Sequence, residues 1–239
     1  PTLFFMAAIH ARELSTSELA LRFVDHLLES YGVDGDATWL LDEHLIVVVP
    51  VANPDGRELA EQGYLQRKNT DTSHGSCAVP RIGVDLNRNF APLSSSRPLH
   101  PFAGSRLSWS PHYTGPHAFS EPESQNIREL QSTRPVTNLI TNHTFSNLVL
   151  RPPGVVDVGA PLEEPLLKDL GARMAGHNGY SNIPGYGLYD TTGATEDWTF
   201  WAAGSLSYTF EIGDVDFHPA YEVGVVDEYL GLGDAVALL

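Results

Sequence analysis

Apolar and polar positions divide this chain into short apolar runs and longer blocks with helical spacing. The first run, Leu3-Phe4-Phe5-Met6-Ala7-Ala8-Ile9, is continuous and predicts a buried strand ending at His10. Ser15-Thr16-Ser17-Glu18 then has the form of a capping box, with Ser15 as N-cap. Ala20, Phe23, Val24, Leu27, Leu28 and Tyr31 recur at helical spacing, and Gly32 supplies the stop. Strand followed by helix is the first half of a βαβ unit. Leu45-Ile46-Val47-Val48-Val49 is continuous and β-branched, the pattern of a strand buried on both faces. Asn53-Pro54-Asp55-Gly56 directly after it is a turn signal.

From Asn69 to Pro116 the chain is rich in Ser, Pro, Gly and His, with little periodicity. So long an irregular stretch in a compact domain usually carries function. A linker is the alternative, and the Gly83 to Phe90 segment argues against it. Ser120-Glu121-Pro122-Glu123 is a second capping box, opening a helix to about Ser132. Val136 to Asn142 reads as a strand ending at His143, residues 161–178 as a helix, and Ser205 to Ile212 as a strand ending near Glu211. Residues 219–239 are expected to close the chain as a helix. His10, Asn53, His143 and Glu211 therefore all stand at or just past the C-terminal ends of strands, the edge where open α/β sheets bind ligands.

The 239 residues are 42% apolar and 18% charged, the balance of a globular enzyme and here of one α/β domain over residues 1–239. Thirty acidic against fourteen basic side chains give a net charge of −16. A field of that sign repels nucleic acid and anionic membranes and mildly favours cationic substrates, although solubility alone accounts for it. Cys77 is the one cysteine, so neither an internal disulfide nor a Cys-rich zinc site can form. No apolar run approaches the ~20 residues of a membrane span. The opening residues lack the basic region and cleavage site of a signal peptide. Without an initiator Met, the chain is expected to be a processed or trimmed form, and a monomer.

His10-Ala11-Arg12-Glu13 sets an imidazole and a carboxylate at i and i+3, on a turn that can aim both at one ion. A catalytic zinc takes three N or O ligands and keeps a position open. His143 is the natural third. Alone, the first pair is a weak signal that recurs by chance and reads more readily as a surface ion pair around Arg12, and a lone His143 is more often a core histidine.

Further motifs follow in order: Asn53-Pro54-Asp55-Gly56, Gly83-Val84-Asp85-Leu86-Asn87-Arg88-Asn89-Phe90, Ser120-Glu121-Pro122-Glu123, Asn142-His143-Thr144, Tyr189 and Tyr208-Thr209-Phe210-Glu211. As a set, spanning Phe4 to about Tyr229, they resemble the zinc carboxypeptidases of the carboxypeptidase A/T type, particularly the bacterial secreted ones. The resemblance implies a mixed, mostly parallel twisted sheet sandwiched between helices, with the site at the C-terminal edge of the strands. It implies one zinc ion per chain held by His10, Glu13 and His143, Glu211 as general base, and peptide or protein C-termini as substrates in an extracellular setting. Asp85 matches the aspartate that holds a ligand histidine, with a simple turn aspartate the equal alternative. Asn87 and Arg88 match the clamp on the substrate's terminal carboxylate, and Tyr189 the tyrosine of a loop that closes over substrate. Glu196 occupies the position at the floor of the specificity pocket, where a carboxylate goes with basic or mixed C-terminal preference.

Two departures stand out. Many relatives carry a second arginine, which stabilises the oxyanion, three residues after the first. Here Arg67-Lys68-Asn69-Thr70 puts Thr70 in its place. Losing an oxyanion donor costs ~10²–10³ in kcat, so either Arg12 or Arg67 substitutes or the enzyme is slow. Relatives also carry further sheet and helix before the His-x-x-Glu strand, where this chain has nine residues. The competing readings are a zinc amidase or peptidase acting on cell-wall peptides, and a catalytically weak zinc-containing binding module.

Overall fold

The structure, a computed structural model, describes residues 1–75, 77–93, 103–214 and 216–222. Strands β1 (Thr2–Ala7), β2 (Leu45–Val49), β3 (Val136–His143), β4 (Leu148–Arg151), β5 (Ser181–Pro184) and β6 (Leu206–Glu211) form one sheet in the order β2-β1-β3-β6-β4-β5. β2, β1, β3 and β6 are mutually parallel; β4 lies antiparallel to β6, and β5 parallel to β4. The sheet is thus mixed and mostly parallel, as expected. Helices α1 (Leu14–Ser30), α2 (Gly35–Glu43), α3 (Pro54–Glu61), α4 (Pro122–Thr133), α5 (Glu164–Asn178) and α6 (Thr195–Ala203) complete the described elements.

Alternation along β1 explains the two covered faces. Phe5 and Ala7 enter one core with Phe23 and Leu27 of α1, Leu167 of α5, and Ile140, Tyr208 and Phe210. Phe4 and Met6 enter the other with Leu86, Phe90, Phe119, Leu139 and Ile127 of α4. Each fully buried Phe or Leu contributes about 1.5–3 kcal/mol, so the apolar run at the chain start anchors both layers.

Several elements differ from expectation. α1 begins at Leu14 with Glu13 as N-cap and no side-chain cap, so the Ser15 capping box does not form. Thr16 Oγ1 instead donates to the Glu13 carbonyl (2.7 Å) and accepts from Ala8 N (3.0 Å), while Glu18 pairs with Arg22. The buried face of α1 is narrower than the spacing implies: Leu19 is buried, but Leu28 and Tyr31 are exposed. Asn53 to Gly56 is the start of α3 rather than a free turn. Asn53 caps it by accepting from Gly56 N (3.1 Å) and donates to the Ile9 carbonyl (3.2 Å). A Cβ on Gly56 would sit 2.7 Å from both Asn53 Oδ1 and the Lys68 carbonyl, which only glycine avoids.

Glu121, not Ser120, caps α4, again without a side-chain bond. β2 is the sheet edge among the described residues, with Leu45 exposed, so its β-branched run is only half covered. α2, α6, β4 and β5 carry no sequence signal strong enough to predict them: the two strands have four residues each, too short to show a period. Of the closing helix expected at 219–239, residues 223–239 lie outside the described residues.

Candidate metal centre and active site

Strand register assembles the site. Ala7 pairs with Asn142, and His143 with Glu211, so β1, β3 and β6 end side by side. After β1 the chain reverses at Ala8, whose φ of 52° few non-glycine residues adopt. Thr16 Oγ1 and Asn53 N hold this turn at the Ala8 amide and carbonyl. His10 follows directly, and Glu13 stands at the α1 N-terminus.

The three side chains converge. His10 Nδ1 is 2.9 Å from Glu13 Oε1 and 3.0 Å from His143 Nδ1, and His143 Nδ1 is 3.0 Å from Glu13 Oε2. All are buried. His10 Nε2 faces Asp85 Oδ1 at 3.2 Å. A carboxylate there accepts a hydrogen bond from Nε2–H and so keeps the proton on Nε2, which leaves the Nδ1 lone pair aimed at His143 and Glu13. Despite its closeness to His143, Glu13 Oε2 is buried without a well-aligned hydrogen bond. Two imidazole nitrogens and a carboxylate oxygen within 4.8 Å of one another form a cradle for a cation. Their chemistry fits zinc with one position left open.

The charges agree with that fit. Burial and the Arg67 charge hold the His10 imidazolium below its ordinary pKa. Burial opposes ionisation of Glu13, but His10 and His143 outweigh it and keep the carboxylate far below the usual range. Burial lowers His143 as well, yet Glu13 wins and raises it. Burial pushes Glu211 up to about 7, a rise that His143 partly offsets and Glu13 reinforces.

A cavity of about 470 Å³ opens over the cradle, with Arg12, Arg67, Tyr189 and Glu211 in its walls beside His10 and Glu13. A smaller pocket adjoins it, lined by Asn87, Arg88 and Glu196 and again by His143, Tyr189 and Glu211. Arg88 is buried, and its Nη1 donates to the Asn87 carbonyl (2.7 Å). Its Nε and Nη2 have no partner among the described residues. The Asn87 amide oxygen accepts from Thr195 N (2.9 Å) and Oγ1 (2.8 Å), which ties the clamp to α6. Gly193 makes this closeness possible: at φ 68°, a Cβ there would stand 2.5 Å from the Arg88 carbonyl. Glu196 is buried with Oε2 unpaired, while burial and the Glu196 charge push the neighbouring Asp197 well above the usual carboxylate range.

His10, Glu13, Arg67, Asn87, Arg88, His143, Tyr189, Glu196 and Glu211 thus each line one of two adjoining cavities, while Asp85 lies behind His10 and lines neither. Thr70 lines neither. Arg67 is in the wall of the large cavity, donating from Nε to Asp85 Oδ2 (2.9 Å) with Nη2 unpaired. Asn53, grouped with the ligand edge by its strand position, is instead the α3 cap. His112, Phe145 and Phe217 also line the large cavity. His112 lies in an aperiodic stretch and the two phenylalanines carry no motif, so the sequence offered no signal for them.

The family model for zinc carboxypeptidases, Peptidase_M14, matches residues 1–226. The chain belongs to the zinc carboxypeptidase family. Carboxypeptidase A2 from Rattus norvegicus is 31% identical over 98% of this chain and 57% of its own length. A zinc carboxypeptidase from Saccharothrix mutabilis subsp. capreolus is 30% identical over 92% of this chain and 52% of its own. The chain therefore spans a little over half the length of these curated relatives. Among solved structures, thrombin activatable fibrinolysis inhibitor superposes with a TM-score of 0.83 at 24% identity, covering 99% of this chain and 60% of that one. Murein-tripeptide amidase MpaA from Escherichia coli O157 gives 0.62 at 18%, covering 100% and 81%. At these identities the superpositions establish the fold. No helix among the described residues is long and apolar enough to cross a membrane.

Zinc loading should require all three donors. His143→Ala is expected to lose tightly held metal, and Asp85→Asn to weaken affinity by about 10–100-fold. Because a protonated imidazole cannot ligate and the His143 pKa is raised, loading should fall as pH drops through that titration. Elemental analysis after dialysis across a pH series reads all three effects; full retention in His143→Ala would exclude this cradle.

Proposed function

We propose that this chain is the catalytic domain of a zinc-dependent carboxypeptidase that removes the residue at a free peptide C-terminus, outside the cell. One observation carries the reading: Arg88 is buried beside the metal cradle with Nε and Nη2, one edge of its fork, unpaired. Leaving such donors unsatisfied costs about 1–3 kcal/mol each, and a carboxylate matches that edge with two parallel hydrogen bonds. An endopeptidase has no terminal carboxylate to offer it.

Zinc, when bound, supplies a Lewis acid that polarises the scissile carbonyl and makes water more acidic. The chain's residues supply the rest. Glu211, with its carboxyl pushed to about 7, accepts the proton of the attacking water and passes it to the leaving amine. Arg67, in the wall of the large cavity and with Nη2 unpaired among the described residues, donates to the developing oxyanion. Tyr189 bonds the substrate through its phenol; its ring is 5.8 Å from the Arg88 guanidinium and partly exposed at the boundary of the two cavities. Glu196 lines the pocket for the departing side chain with a buried, unpaired oxygen, and a cationic partner satisfies it best.

Peptides with an amidated C-terminus should lose at least roughly tenfold in kcat/KM against the free acid, and Arg88→Ala should narrow that gap. Equal cleavage of acid and amide by the parent chain would make it an endopeptidase or amidase. Glu211→Gln should keep zinc and peptide affinity while kcat falls by several orders of magnitude; a variant retaining more than about a tenth of kcat removes Glu211 from the base role. For the side chain removed, Arg and Lys at the C-terminus are expected to exceed Phe and Leu in kcat/KM, with Glu196→Leu reversing the order. A tenfold preference for Phe or Leu that Glu196→Leu leaves unchanged would refute this pocket assignment.

A further inference from the structure

Asp85 does more than orient His10. Its Oδ1 faces His10 Nε2, and its Oδ2 stands between Arg67 Nε at 2.9 Å and His112 Nδ1 at 3.5 Å. The backbone presses the His112 segment against this carboxylate: Asp85 N donates to the Tyr113 carbonyl (2.8 Å), and Ser105 N to the His112 carbonyl (2.8 Å). His112 Nδ1 is buried, a charge contact of Asp85 rather than an aligned hydrogen bond, whereas about a third of the side chain (32%) is exposed. Nδ1 is thus buried on the Asp85 side, and His112 is part of the wall of the large cavity. His112 does not line the small pocket that holds Arg88 and Glu196.

That division sets which part of a substrate it meets. If Arg88 holds the terminal carboxylate in the small pocket, the peptide N-terminal to the scissile bond must leave through the large cavity, past Arg67. We propose that His112 is a substrate-binding residue on this acyl side. Its Nε2 hydrogen-bonds to the peptide backbone just before the scissile bond, with Asp85 steadying the ring. This rests on the carboxypeptidase reading above, and it assigns a role to a histidine that carries no motif.

The test uses the zinc-loaded Glu211→Gln chain, so that binding is read without turnover. Calorimetry compares an N-acetylated tetrapeptide with the free amino acid identical to its last residue, which reaches the small pocket alone. Adding His112→Ala should weaken the tetrapeptide by roughly three- to tenfold, the worth of one net hydrogen bond. Free amino acid affinity and zinc content should not move, and His112→Gln should restore most of the loss. Unchanged tetrapeptide affinity in His112→Ala overturns the proposal. So does a parallel loss of both ligands or of zinc, which would make His112 only a brace for Asp85. A parent chain that binds the tetrapeptide but never cleaves it sinks the carboxypeptidase reading instead, and the binding comparison still decides the role of His112.

Discussion

One buried carboxylate organises the catalytic end of this molecule. Asp85 is wholly inaccessible, and burial alone would neutralise it. The Arg67 charge, the hydrogen bond from His10 and the close approach of His112 hold its pKa well below the usual range instead. Through Oδ1 it holds His10 of the cradle; through Oδ2 it positions Arg67 in the wall of the large cavity. Oδ1 also accepts from Asn87 N (3.1 Å), which shapes the short turn carrying Asn87 and Arg88. The cradle, Arg67 and the turn carrying Arg88 therefore share one support. Removing it would leave an uncompensated buried arginine, a far larger disturbance than losing a surface ion pair.

About half of the residues that keep a buried polar atom without a partner among the described residues lie where a substrate would sit. Arg12, Glu13, Arg67, Arg88 and Glu196 all line the two cavities, and all keep a buried polar atom without a partner. In a folded chain such groups are a cost, because water has been removed and nothing has replaced it. The apolar layers on both faces of the sheet offset that cost and hold the donors in place. β1 and β3, side by side in the sheet, keep cradle residues from two separate chain segments within a few ångströms.

The sequence made the strands and their ends legible wherever apolar runs were long. β1, β2, β3 and β6 all announce themselves, and the polar residues that follow them mark the ligand edge. Helix starts were read less well, for a physical reason. Glu13 and Glu121 stand at N-cap positions without making the cap, and Glu13 is committed to His10. The capping pattern around Ser15 is consequently spent on Thr16, which braces the strained Ala8 turn. Asn53 shows the reverse, a turn motif that is in fact a helix cap.

By itself, then, the sequence determined the side chains available: His10 and His143, the carboxylates of Glu13 and Glu211, and the Arg88 guanidinium, each attached to a recognisable motif. Motifs are local, and residue type with spacing along the chain is enough to specify them. What only the tertiary structure decided is adjacency between segments far apart in the chain. The pairing of His143 with Glu211, the sharing of Asp85 by His10, Arg67 and His112, and the exclusion of Thr70 from both cavities follow from strand register and loop packing. Those depend on which side chains of the whole core can be buried together, and no local window of sequence contains that constraint.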